Sequence, residues 1–511
     1  MKPTTISNNK RIAKNTIMLY IRMLLIMAVT LYTSRVVLNA LGIEDFGIYN
    51  AVGGVVSLFA IISNSLSAAI SRFITFELGT GNNTRLRIIF STSLLIQISI
   101  ALIIILLVET IGLWFLNSQM EIPPNRLSAA NWVLQFSVLT FAINLISVPY
   151  NALIIAYEKM SAFAYISVFE AICRLGIAYL ITISPVDRLI FYSALMMLAA
   201  ILIRFVYGVY CGKHFEESHF QFSFDKNLFK EMYGFAGWNF IGASSGILRD
   251  QGGNILLNLF FGPIANAARG IAMQVNHAVS MFIQNFTTAL NPQITKSFAN
   301  GNHTYMMDLL FKGSRFSFYL LSLISIPILI KTQYILALWL GNVPEHTIFF
   351  VQLILFYSLS ESLSAPLITA MLATGNIRNY QIVVGGLQLL NVPVSYLCFR
   401  FGISINSIFW VALFISIICL SARIVMLHKM IQFPIRRFLV AVCVNAVSVF
   451  VVAIVLPLLL AWYIQDSLIG LCLICVISLL SSILSIYYVG CNKEERNFIY
   501  SKVSYLIRKY I

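Results

Sequence analysis

Apolar runs long enough to cross a bilayer recur along this chain from Ile17 to Gly490, and no other feature constrains its fold as strongly. A bilayer core needs about 20 apolar residues per helix, and an open sheet edge does not survive there. The rest of the composition agrees. Of the 511 residues, 59% are hydrophobic and 10% charged, and the mean hydropathy is +0.86. A soluble domain carries roughly 25% charge. Disorder, collagen-like repeats and small disulfide scaffolds are excluded. The chain reads as an all-α polytopic membrane protein. Its first apolar stretch, Ile17–Val37, is too long for a signal-peptide core and lacks a small-residue cleavage site, so it reads as a retained helix.

The net charge of +15 does not point to nucleic acid, because cytoplasmic loops of membrane proteins accumulate Lys and Arg. Of the eight cysteines, Cys173, Cys398, Cys419 and Cys443 lie in apolar segments. Cys472 and Cys475 form a CxxC inside a hydrophobic stretch, with no second pair and no nearby His, which suits helix packing and not a metal.

Charges, Gly/Pro and loop-like clusters divide the chain into about fourteen transmembrane helices, near 16–40, 46–76, 87–116, 129–156, 160–183, 187–211, 230–261, 264–295, 314–340, 347–373, 379–400, 404–427, 437–463 and 467–490. With the N-terminus placed in the cytoplasm, Lys10, Arg11, Arg85, Arg87, Lys312, Arg315, Arg436 and Arg437 fall inside. The outer loops keep only Arg126, Arg188 and Arg400. That asymmetry predicts cytoplasmic N- and C-termini and an even number of spans. Trp114, Trp132, Trp339, Trp410 and Trp462 fall near outer helix ends, as an aromatic belt requires.

The chain repeats itself at an offset of about 220 residues. Gly42 maps to Gly262, Ala69 to Ala289, Ile74-Thr75 to Ile294-Thr295 and Gly81-Asn82 to Gly301-Asn302. At an offset of 217, Ser147-Val-Pro149 maps to Ser364-Ala-Pro366. Six spans separate the copies, so both have the same orientation. The expected architecture is two six-helix lobes in a parallel, pseudo-twofold repeat plus two extra helices. The lobes would occupy 1–212 (helices 1–6) and 213–430 (helices 7–12), the added helices 431–490, and a basic cytoplasmic tail 491–511. In that tail Phe498, Lys502, Tyr505 and Lys509 have helical spacing, suiting either a basic interfacial helix or a solvated end.

The run SRVVLNALGIEDFGIYNAVGGVVSLF, followed by SLSAAISRFITFELGTGN, resembles the start of bacterial polysaccharide flippases of the O-antigen (Wzx) type. These belong to the multidrug/oligosaccharidyl-lipid/polysaccharide exporter superfamily. The resemblance implies a transporter and not an enzyme, with no cofactor. It would move an undecaprenyl-diphosphate-linked oligosaccharide from the cytoplasmic to the outer leaflet of the bacterial inner membrane by alternating access, serving O-antigen, capsule or exopolysaccharide synthesis. Its implied partners are that glycan, membrane lipids, and the polysaccharide polymerase and chain-length machinery.

The residues themselves bear on this expectation. A charge at the bilayer centre costs roughly 2.5–3.5 kcal/mol on insertion scales, so it faces protein or water. A diphosphate needs cations, and the Arg fork suits phosphate oxygens. Arg22, Arg35, Arg249 and Arg269 are therefore the candidates for a cationic, substrate-binding cavity. Arg22 lies about eight residues into the membrane, roughly 12 Å, and Arg269 sits in a polar helix segment. Competing readings remain for the others. Arg35 lies where a side chain snorkels, and Asp250 neutralises its neighbour Arg249. Arg174 pairs with Glu170 four residues earlier, while Arg204 and Lys331 suit snorkelling or capping.

Polar residues extend the pattern. Asn50, Ser57, Asn64 and Ser71 recur every seven residues, and adding 220 gives Gly270, His277, Gln284 and Asn291. With Asn254 and Asn258, these make Asn50, Asn64, His277 and Gln284 candidates for polar cavity lining, against a reading as interhelical hydrogen bonds. Asp250 and Glu361 are candidates for coupling to H+ or Na+, because a buried carboxylate can exchange an ion as access alternates. Two other functions compete: an ion-coupled exporter of small molecules, and a membrane glycosyltransferase using Glu44 and Asp45. The excess of intramembrane Arg over carboxylate opposes cationic cargo, and the outer loop carrying Glu44-Asp45 is too short to bind an acceptor.

Overall fold

The computed structural model describes residues 3–57, 59–118, 120, 122–221, 225–341 and 343–497, and among these there is no strand. Residues 498–511 of the expected basic tail lie outside the described residues. Eleven helices among the described residues are long and apolar enough to cross a membrane, from Arg11–Gly42 to Leu468–Gly490. The other three expected spans, near 46–76, 230–261 and 264–295, are largely helical as well. Those near 230–261 and 264–295 fall short in apolarity because they carry the polar stripe and the charges Arg249, Asp250 and Arg269, the cost of lining something other than lipid.

The chain divides into two compact units. Unit 1 comprises Met1–Ala243 and Thr295–Asn302. It is built from α1 (Pro3–Ser57), α2 (Ala60–Thr80), α3 (Asn83–Leu107) with its extension α4 (Leu113–Ser118), α5 (Leu127–Ala156), α6 (Met160–Leu180), α7 (Arg188–His214) and the ends of α8 (Lys226–Ala299). Helix α5 packs on α7, α3 and α2, and α1 packs on α6. The α1–α6 seam buries Val37, Ala40 and Leu41 against Ile177, Ala178 and Ile181, where small residues let the backbones approach. At the N-termini of α5 and α7, the Arg126 guanidinium joins Asp45 of α1 (2.7 Å) and Asp187 (2.5 Å). Asp187 caps α7, accepting from the Leu189 and Ile190 amides at 3.0 and 3.1 Å.

Unit 2 comprises Ser244–Ile294 and His303–Ile511. It takes the middle of α8, then α9 (His303–Ile330), α10 (Thr332–Leu340), α11 (Thr347–Ala373), α12 (Arg378–Leu389), α13 (Asn391–Arg400), α14 (Ser407–Ile431), α15 (Ile435–Phe438), α16 (Asn445–Ala461) and α17 (Leu468–Ser485). Helix α11 packs against α9 and α14, and α16 and α17 pair on α9. All five tryptophans expected at outer helix ends are exposed on their helices.

The repeat is visible in the backbone. Helix α1 is interrupted at Gly42 (φ 81°, ψ 170°) and α8 at Gly262 (φ 78°, ψ −172°). That region is closed to residues with a Cβ, so both halves need glycine at this corner. Gly81 and Gly301 also share positive φ, at 78° and 68°, and Pro149 and Pro366 both lie inside long helices.

Candidate functional site

The two limbs of α8 on either side of Gly262 bring polar residues of unit 2 to one cavity of about 370 Å³. Arg249 and Asp250 come from the first limb; Arg269, His277 and Gln284 come from the second. Glu361 enters from α11. Six residues expected to act in binding or coupling thus share one wall system, although 112 positions separate the first from the last.

The charges there are arranged in relays. Arg249 Nε donates to Asp250 at 2.9 Å, and its Nη1 donates to the Tyr357 hydroxyl at 2.7 Å. The local neutralisation of Arg249 by Asp250 is therefore part of the site. Arg269 is 6% exposed. Its Nη1 donates to the Asp250 carbonyl (2.8 Å) and to Asn254 Oδ1 (2.9 Å), and its Nη2 lies 4.0 Å from the Asp250 carboxylate. Its Nε is buried and, among the described residues, has no hydrogen-bond partner. Gly253 leaves room for this guanidinium, since a Cβ there would collide with it.

Arg423, from α14, stands behind Glu361. Its side chain is 2% exposed, its Nη1 donates to Ser364 Oγ at 2.9 Å, and Glu361 Oε1 lies 3.6 Å away. The lining charges are two guanidiniums and two carboxylates, and Arg423 supplies the one positive charge in excess. Around them lie amides and hydroxyls, including Asn276, which Ser358 contacts by its hydroxyl. Such a site offers cation forks to an anion and hydroxyl groups to a polar ligand.

The remaining expected residues lie elsewhere. Arg22 belongs to unit 1, with its guanidinium 4.3 Å from the centre of the Phe163 ring and its Nε buried without a hydrogen-bond partner among the described residues. Arg35, Asn64 and Asn258 are exposed and line neither this cavity nor the one in unit 1. The Asn50 side chain lies outside the described residues. Asn254 positions Arg269 and is absent from the cavity wall. Glu170 and Arg174 form the intrahelical pair at 2.6 Å. Arg204 covers the Tyr150 ring at 3.8 Å, and Lys331 pairs with Asp466 at 2.6 Å. Among the described residues no cluster of three or more His, Cys, Asp or Glu offers a metal site.

Sequence reasoning missed Arg423 and Tyr357. Arg423 lies near a helix end rich in Lys and Arg, where it reads as a cytoplasmic charge. Tyr357 sits in an apolar run. Its spacing of four from Glu361 places both on one helix face, and that was the available signal.

A family model described as "Polysaccharide biosynthesis protein" matches residues 12–298. Comparison with curated proteins yields no match. Among solved structures, the chain is similar to an outward-facing multidrug-resistance MATE family transporter of the MOP superfamily, with TM-score 0.73 and 11% identity, covering 83% of this chain and 96% of that one. It is also similar to the Vibrio cholerae MATE transporter VcmN in its bent form, with TM-score 0.69 and 15% identity, covering 86% and 99%. A third is a MOP superfamily transporter from Pyrococcus furiosus, for which reverse polarity of the binding pocket is said to suggest a different function. There the TM-score is 0.68 at 11% identity, covering 83% and 96%. The fold is that of MOP superfamily transporters.

Proposed function

The chain belongs to the polysaccharide biosynthesis protein family, and from that premise we propose that it is a lipid-linked oligosaccharide flippase. It moves an undecaprenyl-diphosphate-linked glycan from the cytoplasmic to the outer leaflet of the bacterial inner membrane by alternating access. The asymmetry of Lys and Arg among its loops supports cytoplasmic termini.

The observation that carries this reading is the pair Arg249 and Arg269 in one polar cavity of unit 2. A diphosphate does not enter hydrocarbon unaided, and guanidinium forks are the side chains best matched to its oxygens. The carboxylates hold the cavity near neutrality while it is empty, which limits the cost of burying two cations. An arriving diphosphate competes with Asp250 for them. The hydroxyls and amides add neutral hydrogen-bonding groups for the phosphate oxygens. Asp250 and Glu361 are also the groups through which H+ or Na+ would couple, and their presence favours the small-molecule exporter as the second reading.

The test uses purified protein in liposomes loaded with undecaprenyl-diphosphate oligosaccharide. A membrane-impermeant sugar-modifying probe reports the glycan's leaflet. Wild type is expected to expose the inner-leaflet glycan, and Arg269→Ala to slow this at least tenfold, matching loss of a charge-assisted contact of about 1.5–3 kcal/mol. Exposure that survives both Arg249→Ala and Arg269→Ala keeps the flippase and removes this cavity from it. No exposure, with or without an ion gradient, overturns the flippase in favour of small-molecule export.

A further inference from the structure

Unit 1 holds a cavity of its own, of about 210 Å³. Its α1 and α5 walls correspond position by position to residues lining the charged cavity in unit 2. With the 220-residue offset, Tyr49, Gly53 and Val56 of α1 correspond to Arg269, Met273 and Asn276 of α8. With the 217-residue offset, Ser137, Thr140, Phe141 and Asn144 of α5 correspond to Ile354, Tyr357, Ser358 and Glu361 of α11. Ser193 and Met196 of α7 complete the described lining. Seven of the nine lining residues described for the smaller cavity thus have counterparts lining the larger one, as two copies of one site would.

The copies differ in charge. Where unit 2 has Arg269 and Glu361, unit 1 has Tyr49 and Asn144. The counterparts of Arg249 and Asp250 are Val29 and Thr30. Among the described residues, none lining the unit 1 cavity is an acid, Lys or Arg. The charge that reaches its tyrosines, Arg174, is already paired with Glu170 at 2.6 Å, so the wall favours a neutral ligand over an ion. A neutral polar ligand meets a different wall. The Asn144 amide faces open space, and among the described residues it has no hydrogen-bond partner. Thr140 and Ser193 each donate to their own helix, at 2.7 and 3.1 Å, leaving their oxygens free to accept. Tyr49, packed 4.7 Å from the Tyr192 ring, and Phe141 add aromatic surface. Donors, acceptors and ring faces without charge match a molecule that has hydroxyls around its edge and C–H bonds on its faces.

We propose that the unit 1 cavity is a binding subsite for an uncharged sugar residue, the neutral counterpart of the charged cavity in unit 2. The proposal rests on the flippase reading, because the sugar is taken to belong to the lipid-linked cargo. Charge recognition and sugar recognition are then divided between two descendants of one ancestral pocket. A substitution in unit 1 alters which glycan is accepted, while one in unit 2 alters whether a diphosphate is accepted at all.

The experiment measures binding of two defined lipids to the full chain in nanodiscs: undecaprenyl diphosphate, and the same lipid carrying one N-acetylglucosamine. Wild type is expected to prefer the sugar-bearing lipid. Asn144→Leu and Thr140→Val should each reduce that preference by roughly three- to tenfold, the range for losing one neutral hydrogen bond, and leave the bare lipid unchanged. Arg269→Ala should weaken both lipids equally. If both unit 1 variants keep the wild-type preference, the subsite is overturned and the flippase reading stands. If wild type binds neither lipid, the flippase reading fails and takes this proposal with it. If Asn144→Leu loses both lipids through misfolding, the near-isosteric Thr140→Val decides alone: preference lost supports the subsite, and preference kept overturns it.

Discussion

Glu158 and Gly375 stand 217 positions apart, at equivalent places in the repeat, and both occupy the left-handed region of backbone space, with φ of 58° and 79°. Unit 2 meets that requirement with the residue that adopts it freely. Unit 1 keeps a glutamate whose side chain is 1% exposed, where it accepts from Arg11 at 2.8 Å and Lys296 at 3.0 Å. Arg11 belongs to α1 and Lys296 to the last turn of α8. The glutamate therefore holds a strained corner in order to tie two helix ends.

Two opposing effects follow at this residue. Glu158→Ala should lose the ion pairs and retain the strain, lowering stability by about 2–4 kcal/mol. Glu158→Gly should lose the same pairs and recover about 1 kcal/mol of strain. The check is thermal unfolding of both variants in one detergent, where the glycine variant should melt higher. Equal melting temperatures would remove strain from the account.

At Gly253 the expected effect is steric. An added methyl meets the Arg269 guanidinium, whereas at Gly270, on the same helix, it meets nothing within 4 Å. Gly253→Ala should displace Arg269 and slow glycan exposure about tenfold, the equivalent of roughly 1.4 kcal/mol. Gly270→Ala should leave transport unchanged and gain a few tenths of a kcal/mol from helix propensity. The liposome assay with both variants separates these outcomes.

Arg423 and Glu361 call for a double-mutant cycle. Glu361→Gln removes the carboxylate facing an almost wholly buried guanidinium and should cost about 2–4 kcal/mol. Arg423→Met alone should cost less, because Glu361 is 25% exposed and can be hydrated. The double variant should be more stable than Glu361→Gln alone. Additive losses across the cycle, read by unfolding midpoints, would mean that the two residues do not interact.

Asp187 predicts an acid sensitivity outside the spans. Burial raises its pKa, but the hydrogen bond from Arg126 and the amides of Ile190 and Leu189 outweigh that, leaving it below the usual carboxylate value. A depressed folded pKa stabilises the fold above the unfolded value of about 3.9, and the stabilisation is lost as pH falls through the folded value. Amides at the start of α7 should therefore stay strongly protected, relative to their intrinsic exchange rate at each pH, at pH 6 and lose protection below pH of about 4. Asp187→Asn should exchange faster at pH 6 and flatten the profile. A wild-type profile without a step would contradict the pairing.

Much of the architecture was legible before any coordinates. Apolar length announces a helix directly, because in hydrocarbon the backbone has few alternatives. The repeat offset foresaw that Gly42 and Gly262 would share a role, and both break a helix in the same conformation. The count of spans was harder. Hydropathy fails for helices whose polar faces line an interior, and the segments near 230–261 and 264–295 are of that kind. Arg35 and Asn258 show the converse limit, since intramembrane position alone does not say which way a side chain turns.

The order of amino acids by itself decided that this chain is helical, spans a membrane and is duplicated, because those properties depend on local apolar length and on identities at a constant offset. Which charges meet was left to tertiary structure. Arg249 finds Tyr357 across 108 positions, Arg423 finds Glu361 across another helix pair, and Glu158 becomes buried between Arg11 and Lys296. A charge's partner depends on how helices rotate and cross, which is set by packing over many residues and by no single stretch of sequence.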